Sequence, residues 1–221
     1  MPRISLQTKC PKGRDRGVRL KNGTWGRSSC NSYNCPVCGR HDLKRKAAVL
    51  THVAMTAPHA KWVTLTLAPR SEAARKAAVI NFRAKLERKV GRIELAWVTE
   101  VGMLGGWHIH ALIHGQPLDS WTIEEAWGAR VKVKDTHTGV GWYMLKNGLE
   151  CPGSTNRWFH FQINAGRPFR HSRGFYGEAT TFDEAWRITR ESWTANGETP
   201  AEPRTPTPVV ALSILINSTR E

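Results

Sequence analysis

Trp107-His108-Ile109-His110-Ala111-Leu112-Ile113 is the stretch whose reading decides the fold. It is rich in branched and aromatic residues, and its polar and apolar side chains alternate before an apolar end, which is the pattern of a half-buried strand. Residues two apart on a strand point to the same side. His108 and His110 therefore project together, while Ile109, Ala111 and Ile113 face a core. Just upstream, Gly102-Met103-Leu104-Gly105-Gly106 reads as a turn, and Ile93 to Val101 as the strand before it. If the two strands pair as a hairpin, Glu100 comes opposite His108.

Working outward, Lys61-Trp62-Val63-Thr64-Leu65-Thr66-Leu67 alternates and reads as a strand ended by Pro69. Ser71 can cap a helix through Val90, with Ala78, Phe82, Leu86 and Val90 as its apolar stripe and Gly91 as its stop. Ser120 to Arg130 reads as a helix, Val131 to Val133 as a short strand, and Val140 to Asn147 as a helix stopped by Gly148. The order β-α-β-β-α-β predicts an α+β fold, an antiparallel sheet of the ferredoxin-like, split βαβ type with helices on one face and ligands on the other.

Two imidazoles and a carboxylate on one face suit a catalytic divalent metal, because that donor set leaves coordination positions open to water and substrate. Glu100, His108 and His110 are the expected ligands, with Mg2+ or Mn2+ as the cofactor. Tyr143 and Lys146 stand three apart in a predicted helix and so share a side of it. A phenol titrates at about 10 and is a weak nucleophile at neutral pH, but a neighbouring ammonium and a metal-polarised phosphate can offset this.

Charge points to the substrate class. The chain carries 33 Lys and Arg against 18 Asp and Glu, a formal +15, and residues 1–50 alone hold twelve bases against two acids. Such a field favours polyphosphates by releasing their counterions. Arg40, Lys44, Arg45 and Lys46 are candidate DNA contacts. So are Arg167, Arg170 and Arg173, which are interleaved with Phe169, Phe175 and Tyr176 in the manner of a single-strand groove. His114 shares a strand face with His108 and His110 and reads as supporting or merely exposed.

Cys10, Cys30, Cys35 and Cys38 have the close final spacing of a zinc knuckle. Their segment has too few apolar residues for a core of its own, so a structural Zn2+ would hold it together. Three parts are expected: a basic Cys-rich zinc module over 1–46, a catalytic domain over 47–195, and a Pro/Thr-rich tail over 196–221. No signal peptide opens the chain and no apolar run is long enough to cross a bilayer, so a reduced, cytoplasmic location without membrane partners is expected.

In this order, Val63-Thr64-Leu65-Thr66-Leu67, His108-Ile109-His110 and Tyr143-Met144-Leu145-Lys146 resemble the three motifs of rolling-circle replication initiators of the HUH endonuclease superfamily. The resemblance covers about residues 60–147 and is of the single-tyrosine, plasmid- or phage-like type. It implies that Tyr143 attacks single-stranded or hairpin origin DNA, forms a 5′-phosphotyrosine, frees a 3′-hydroxyl to prime synthesis, and later rejoins the strand. It implies metal binding by Glu100, His108 and His110, assistance by Lys146, and DNA docking by the Cys-rich segment. The sequence contains no GxxxxGK[ST] motif, so unwinding would fall to DNA topology or a host helicase. A related single-tyrosine transposase and a zinc-dependent DNA-binding protein without catalysis are the competing readings.

Overall fold

A computed structural model describes residues 17–19, 25–27, 38–101, 106–149 and 169–197. In chain order its elements are β1 (Gly17–Arg19), β2 (Trp25–Arg27), α1 (Cys38–Thr56), β3 (Lys61–Leu65), α2 (Glu72–Val90) and β4 (Glu94–Val101). They continue with β5 (Trp107–His114), α3 (Ser120–Trp127), β6 (Val131–Asp135), α4 (Val140–Leu149), β7 (Phe169–His171) and α5 (Phe182–Ala195). β1 and β2 form a separate two-stranded antiparallel ribbon.

The main sheet has the order β6-β3-β5-β4-β7, and every pairing in it is antiparallel. β5 lies between β3 and β4, and β3 lies between β5 and β6, which is the split βαβ arrangement expected from the element order. α2 and α3 cover one face. There Val63, Leu65, Leu95, Ile109, Ala111 and Ile113 pack with Val79, Phe82, Leu86 and Ile123. Ser71 caps α2 by accepting a hydrogen bond from the Ala74 amide at 3.2 Å, and Gly91 ends the helix at φ 89°.

Helices on one face only is the expectation that fails. α1, α4 and α5 cover part of the second face, where Leu43, Ala47, Leu50, Val140 and Leu145 cluster with Trp62, Ala96, Val98 and Leu112. The apolar side chains on that face are too many to leave in water, so helices cover one end and the His108 end stays polar. α1 also runs unbroken through the expected boundary at residue 46, and Leu43 joins the same cluster as Ala47, so the folded unit is under way by Cys38. α4 continues past Gly148 to Leu149, because a glycine in a helix weakens it without requiring an end. Cys38 is the buried first residue of α1. Cys10, Cys30 and Cys35 lie outside the described residues, as does the tail from residue 198.

β7 is fastened to the sheet by a polar network around Glu94. Ser172 donates its hydroxyl to Glu94 Oε2 at 2.5 Å, Arg92 reaches Oε1 at 2.8 Å and Arg83 reaches Oε2 at 3.5 Å. Burial alone would raise this carboxyl, but the Ser172 hydroxyl and the Arg92 and Arg83 guanidinium groups outweigh it and hold it below the ordinary glutamate value. A depressed folded value contributes stability above the unfolded value of about 4.3 and loses it as pH falls through the folded one. Glu94→Gln is therefore expected to lower the melting temperature at neutral pH, with the gap to the wild type narrowing steadily below about pH 4. Thermal melts across acid pH check this, and a constant gap would contradict it.

Candidate metal and nucleophile site

The hairpin of β4 and β5 pairs Val101 with Trp107 and Glu100 with His108. That register puts the Glu100 carboxylate directly across from His108 and diagonal to His110, which pairs with Val98, on the face opposite α2 and α3. Glu100 Oε2 lies 2.7 Å from His110 Nε2 and 3.4 Å from His108 Nε2. Ligand atoms of all three residues lie within 4.8 Å of one another, and among the described residues they are the group placed to hold a metal ion. Glu100 is 9% exposed and His110 is 4% exposed, so the site is shielded on its sheet side. Burial pushes the His110 imidazole below its ordinary value, with Glu100 opposing the shift and Lys146 and His108 adding to it. A neutral imidazole keeps the lone pair that a metal needs.

Lys146 and Tyr143 approach from α4. Lys146 Nζ is 3.2 Å from Glu100 Oε2 and lies 3.7 Å from the centre of the Tyr143 ring. The tyrosine ring packs edge-on against His110 at 5.6 Å and against Trp62 at 4.8 Å. It is 42% exposed, one of few large hydrophobic side chains left open to solvent among the described residues. An accessible phenol, an ammonium and a metal-competent triad thus meet at one end of one sheet face. That arrangement suits in-line attack on a phosphodiester.

Thr64 and Trp62 join the site through β3. Thr64 pairs with His110, and its hydroxyl lies 3.2 Å from His110 Nδ1. A histidine coordinating through Nε2 carries its proton on Nδ1 and needs an acceptor there, which a hydroxyl supplies. Thr64→Val removes that acceptor. It is expected to weaken Mn2+ binding by about tenfold in a calorimetric titration, and an unchanged affinity would remove Thr64 from the site. The signal was present in the alternation of β3, which sets Trp62 and Thr64 on one side.

The expected DNA contacts fare differently. Arg45 bonds Asp183 at 2.8 Å and stacks over Phe182 and Trp186 of α5, and Lys46 lies over Phe182. Arg170 pairs with Glu72 at the start of α2. Asp183 and Glu72, both distant in sequence, engage Arg45 and Arg170, and the Phe182 ring engages Lys46, so these three side chains tie helices and the edge strand together. Lys44 is half-buried on α1 and Arg173 is exposed beside β7. Arg167 and the Arg40 side chain lie outside the described residues. His114 is buried, not exposed, and meets the Phe175 carbonyl at 2.9 Å with Nε2. Phe169 and Phe175 are core residues and Tyr176 packs against that core, so the described part of the aromatic segment is spent on packing.

No helix among the described residues is long and apolar enough to cross a membrane. No curated protein matches the chain. One similar solved structure is the crystal structure of the hypothetical protein ORF119 from Sulfolobus islandicus rod-shaped virus 1, at 17% identity and a TM-score of 0.35, covering 48% of this chain and 92% of that one. Residues 60–148 match the family model of the replication-associated protein ORF2/G2P. The matched stretch contains Thr64, Glu100, His108, His110, Tyr143 and Lys146, and over it the chain is similar to a replication initiator family.

Proposed function

We propose that the protein starts DNA replication by nicking single-stranded origin DNA through a covalent tyrosine intermediate, in the manner of rolling-circle initiators. The observation that carries this reading is the convergence of Glu100, His108 and His110 with the exposed Tyr143 and with Lys146. The similarity of residues 60–148 to a replication-associated family supports it.

Two imidazole nitrogens and a carboxylate oxygen, converging in a partly buried site, fit a divalent cation such as Mg2+ or Mn2+. When bound, such an ion supplies Lewis-acid polarisation of the phosphodiester. The remaining steps belong to the chain. Tyr143 Oη forms a bond to phosphorus as the P–O3′ bond breaks, and the phenolic proton is released. The 5′ side stays on the tyrosine as a phosphodiester, while the departing O3′ takes up a proton and becomes a free 3′-hydroxyl. The Lys146 ammonium stands where it offsets negative charge developing on the phenol oxygen and the phosphate. Attack of a 3′-hydroxyl on the phosphotyrosine reverses the sequence, rejoining DNA and restoring the phenol. The proposal includes a structural Zn2+ on Cys10, Cys30, Cys35 and Cys38, checked by metal analysis of the purified protein.

The experiment mixes the purified protein and Mn2+ with hairpin oligonucleotides, labelled at the 3′ end, that span its own replication origin. A denaturant-resistant adduct carrying the label, absent with EDTA and mapped to the Tyr143 peptide, is the expected result. Tight binding without adduct on every origin oligonucleotide would instead favour a non-catalytic DNA-binding protein.

A further inference from the structure

Strand register places two cations on the same sheet face as the site. β6 is an edge strand, where Lys132 pairs with Thr64 and Lys134 with Trp62. Thr64 in turn pairs with His110, so Lys132, Lys134, Trp62, Thr64 and His110 occupy positions on one face. Lys134 Nζ lies 5.2 Å over the Trp62 ring, and that ring packs edge-on against Tyr143 at 4.8 Å and against His137 at 5.7 Å. A continuous line of contacts therefore runs from the outer edge of the sheet to the nucleophile.

Both lysines are exposed, and among the described residues neither makes an ion pair. Their neighbours are already engaged. Lys61 holds Asp135, the acid of this strand, at 2.7 Å, and Lys146 holds Glu100 at 3.2 Å. Trp62 is only 7% exposed, so it braces the line and offers no open ring for a base to stack on. What the edge presents outward is positive charge. Same-face residues on a strand stand about 6.7 Å apart, a spacing at which two ammonium groups can each take a different phosphate of one chain.

We propose that Lys132 and Lys134 form a backbone track on β6 that holds single-stranded DNA alongside Tyr143. This rests on the nicking function proposed above, and it adds the surface by which the strand is held before the chemistry. Each phosphate contact to a single strand contributes about 0.7 to the slope of log affinity against log salt.

The test measures fluorescence anisotropy of a fluorescein-labelled oligothymidylate with the Tyr143→Phe protein over a series of NaCl concentrations. In that background, Lys132→Gln with Lys134→Gln is expected to reduce the salt slope by about 1.4 and to weaken binding at low salt several-fold. Lys85→Gln with Arg88→Gln, two exposed positions on α2 across the sheet, serves as the control and should leave the slope unchanged. An unaltered slope in the β6 variant overturns the track, and so does an equal reduction in the control, which would mean diffuse attraction. Both variants replace exposed side chains, and matching melting curves establish that they fold. Absence of an adduct with the wild-type protein would remove the nicking function, whereas an adduct together with an unaltered slope would remove the track alone.

Discussion

Tyr143→Phe is expected to eliminate the covalent DNA adduct, a fall of at least about 10⁴-fold in its rate of formation, because among the described residues no other tyrosine hydroxyl stands at the site. The substitution removes one oxygen and leaves the ring. The edge-on contacts with Trp62 and His110 and the Lys146 ammonium over the face all depend on the ring, so packing is retained. The ring is 42% exposed, so no buried partner is stranded when the hydroxyl goes. Melting temperature should stay within a degree or two, and affinity for an oligonucleotide within about twofold. Gel analysis under denaturing conditions reads the adduct, and anisotropy reads the affinity. An adduct that survives the substitution would overturn the nucleophile. Tyr176 is no substitute in the described fold, since its ring packs against His171 at 4.6 Å beside β7.

Gly141→Ala should damage both stability and chemistry. A Cβ at Gly141 would sit 2.0 Å from the Ala47 carbonyl oxygen, 2.7 Å from Thr51 Oγ1 and 2.8 Å from the Thr51 amide nitrogen. Two of those atoms are α1 backbone, which no side-chain rotation can clear. Alanine gains up to about 1 kcal/mol of helix propensity over glycine, whereas overpacking a close contact costs about 1–3 kcal/mol and more when backbone must move. The clash wins. α4 must lift from α1, loosening the cluster of Leu43, Ala47, Leu50, Val140 and Leu145. A net loss of about 2 kcal/mol corresponds to a melting temperature lower by about 4–8 °C in a protein of this size. Because α4 carries Tyr143 and Lys146, displacement by about 1 Å should also slow adduct formation by about 10²-fold. An unchanged or raised melting temperature would contradict the close crossing.

Much of the sheet was legible because a hairpin with one polar face leaves little freedom. Alternation in β3 and β5, with glycines between β4 and β5, suffices to set Glu100 against His108. Other features depend on contacts that no local pattern contains. α1 was hidden because Ala47, Ala48, Val49 and Leu50 are buried in succession, and a helix enclosed on several sides has no single apolar stripe. In α2 the buried line is Arg75, Val79, Phe82 and Leu86, so of the expected stripe Phe82 and Leu86 are buried while Ala78 and Val90 are half-buried, and an arginine joins the buried side. Arg75 lies 3.8 Å from the Trp107 ring centre and donates to the carbonyls of Pro69 and Arg70, partners supplied only by the folded chain. The same holds for Arg45 and Arg170, whose acids Asp183 and Glu72 lie far off in sequence. α5 did carry a local sign, since Thr181 accepts from the Glu184 amide at 3.2 Å in a Thr-x-x-Glu capping pattern.

The close crossing of α1 and α4 makes the position of Tyr143 answerable to distant parts of the chain. α1 is a rod of 19 residues, about 28 Å long, that begins at Cys38 and meets Gly141 near its middle. Where two backbones touch without intervening side chains, there is no soft layer to absorb a tilt. A torque applied at Cys38, where the cysteine-bearing segment joins the rod, is therefore delivered to the turn of α4 that carries Tyr143. The lever arm is built into the fold, and it joins the start of α1 to the turn that carries Tyr143.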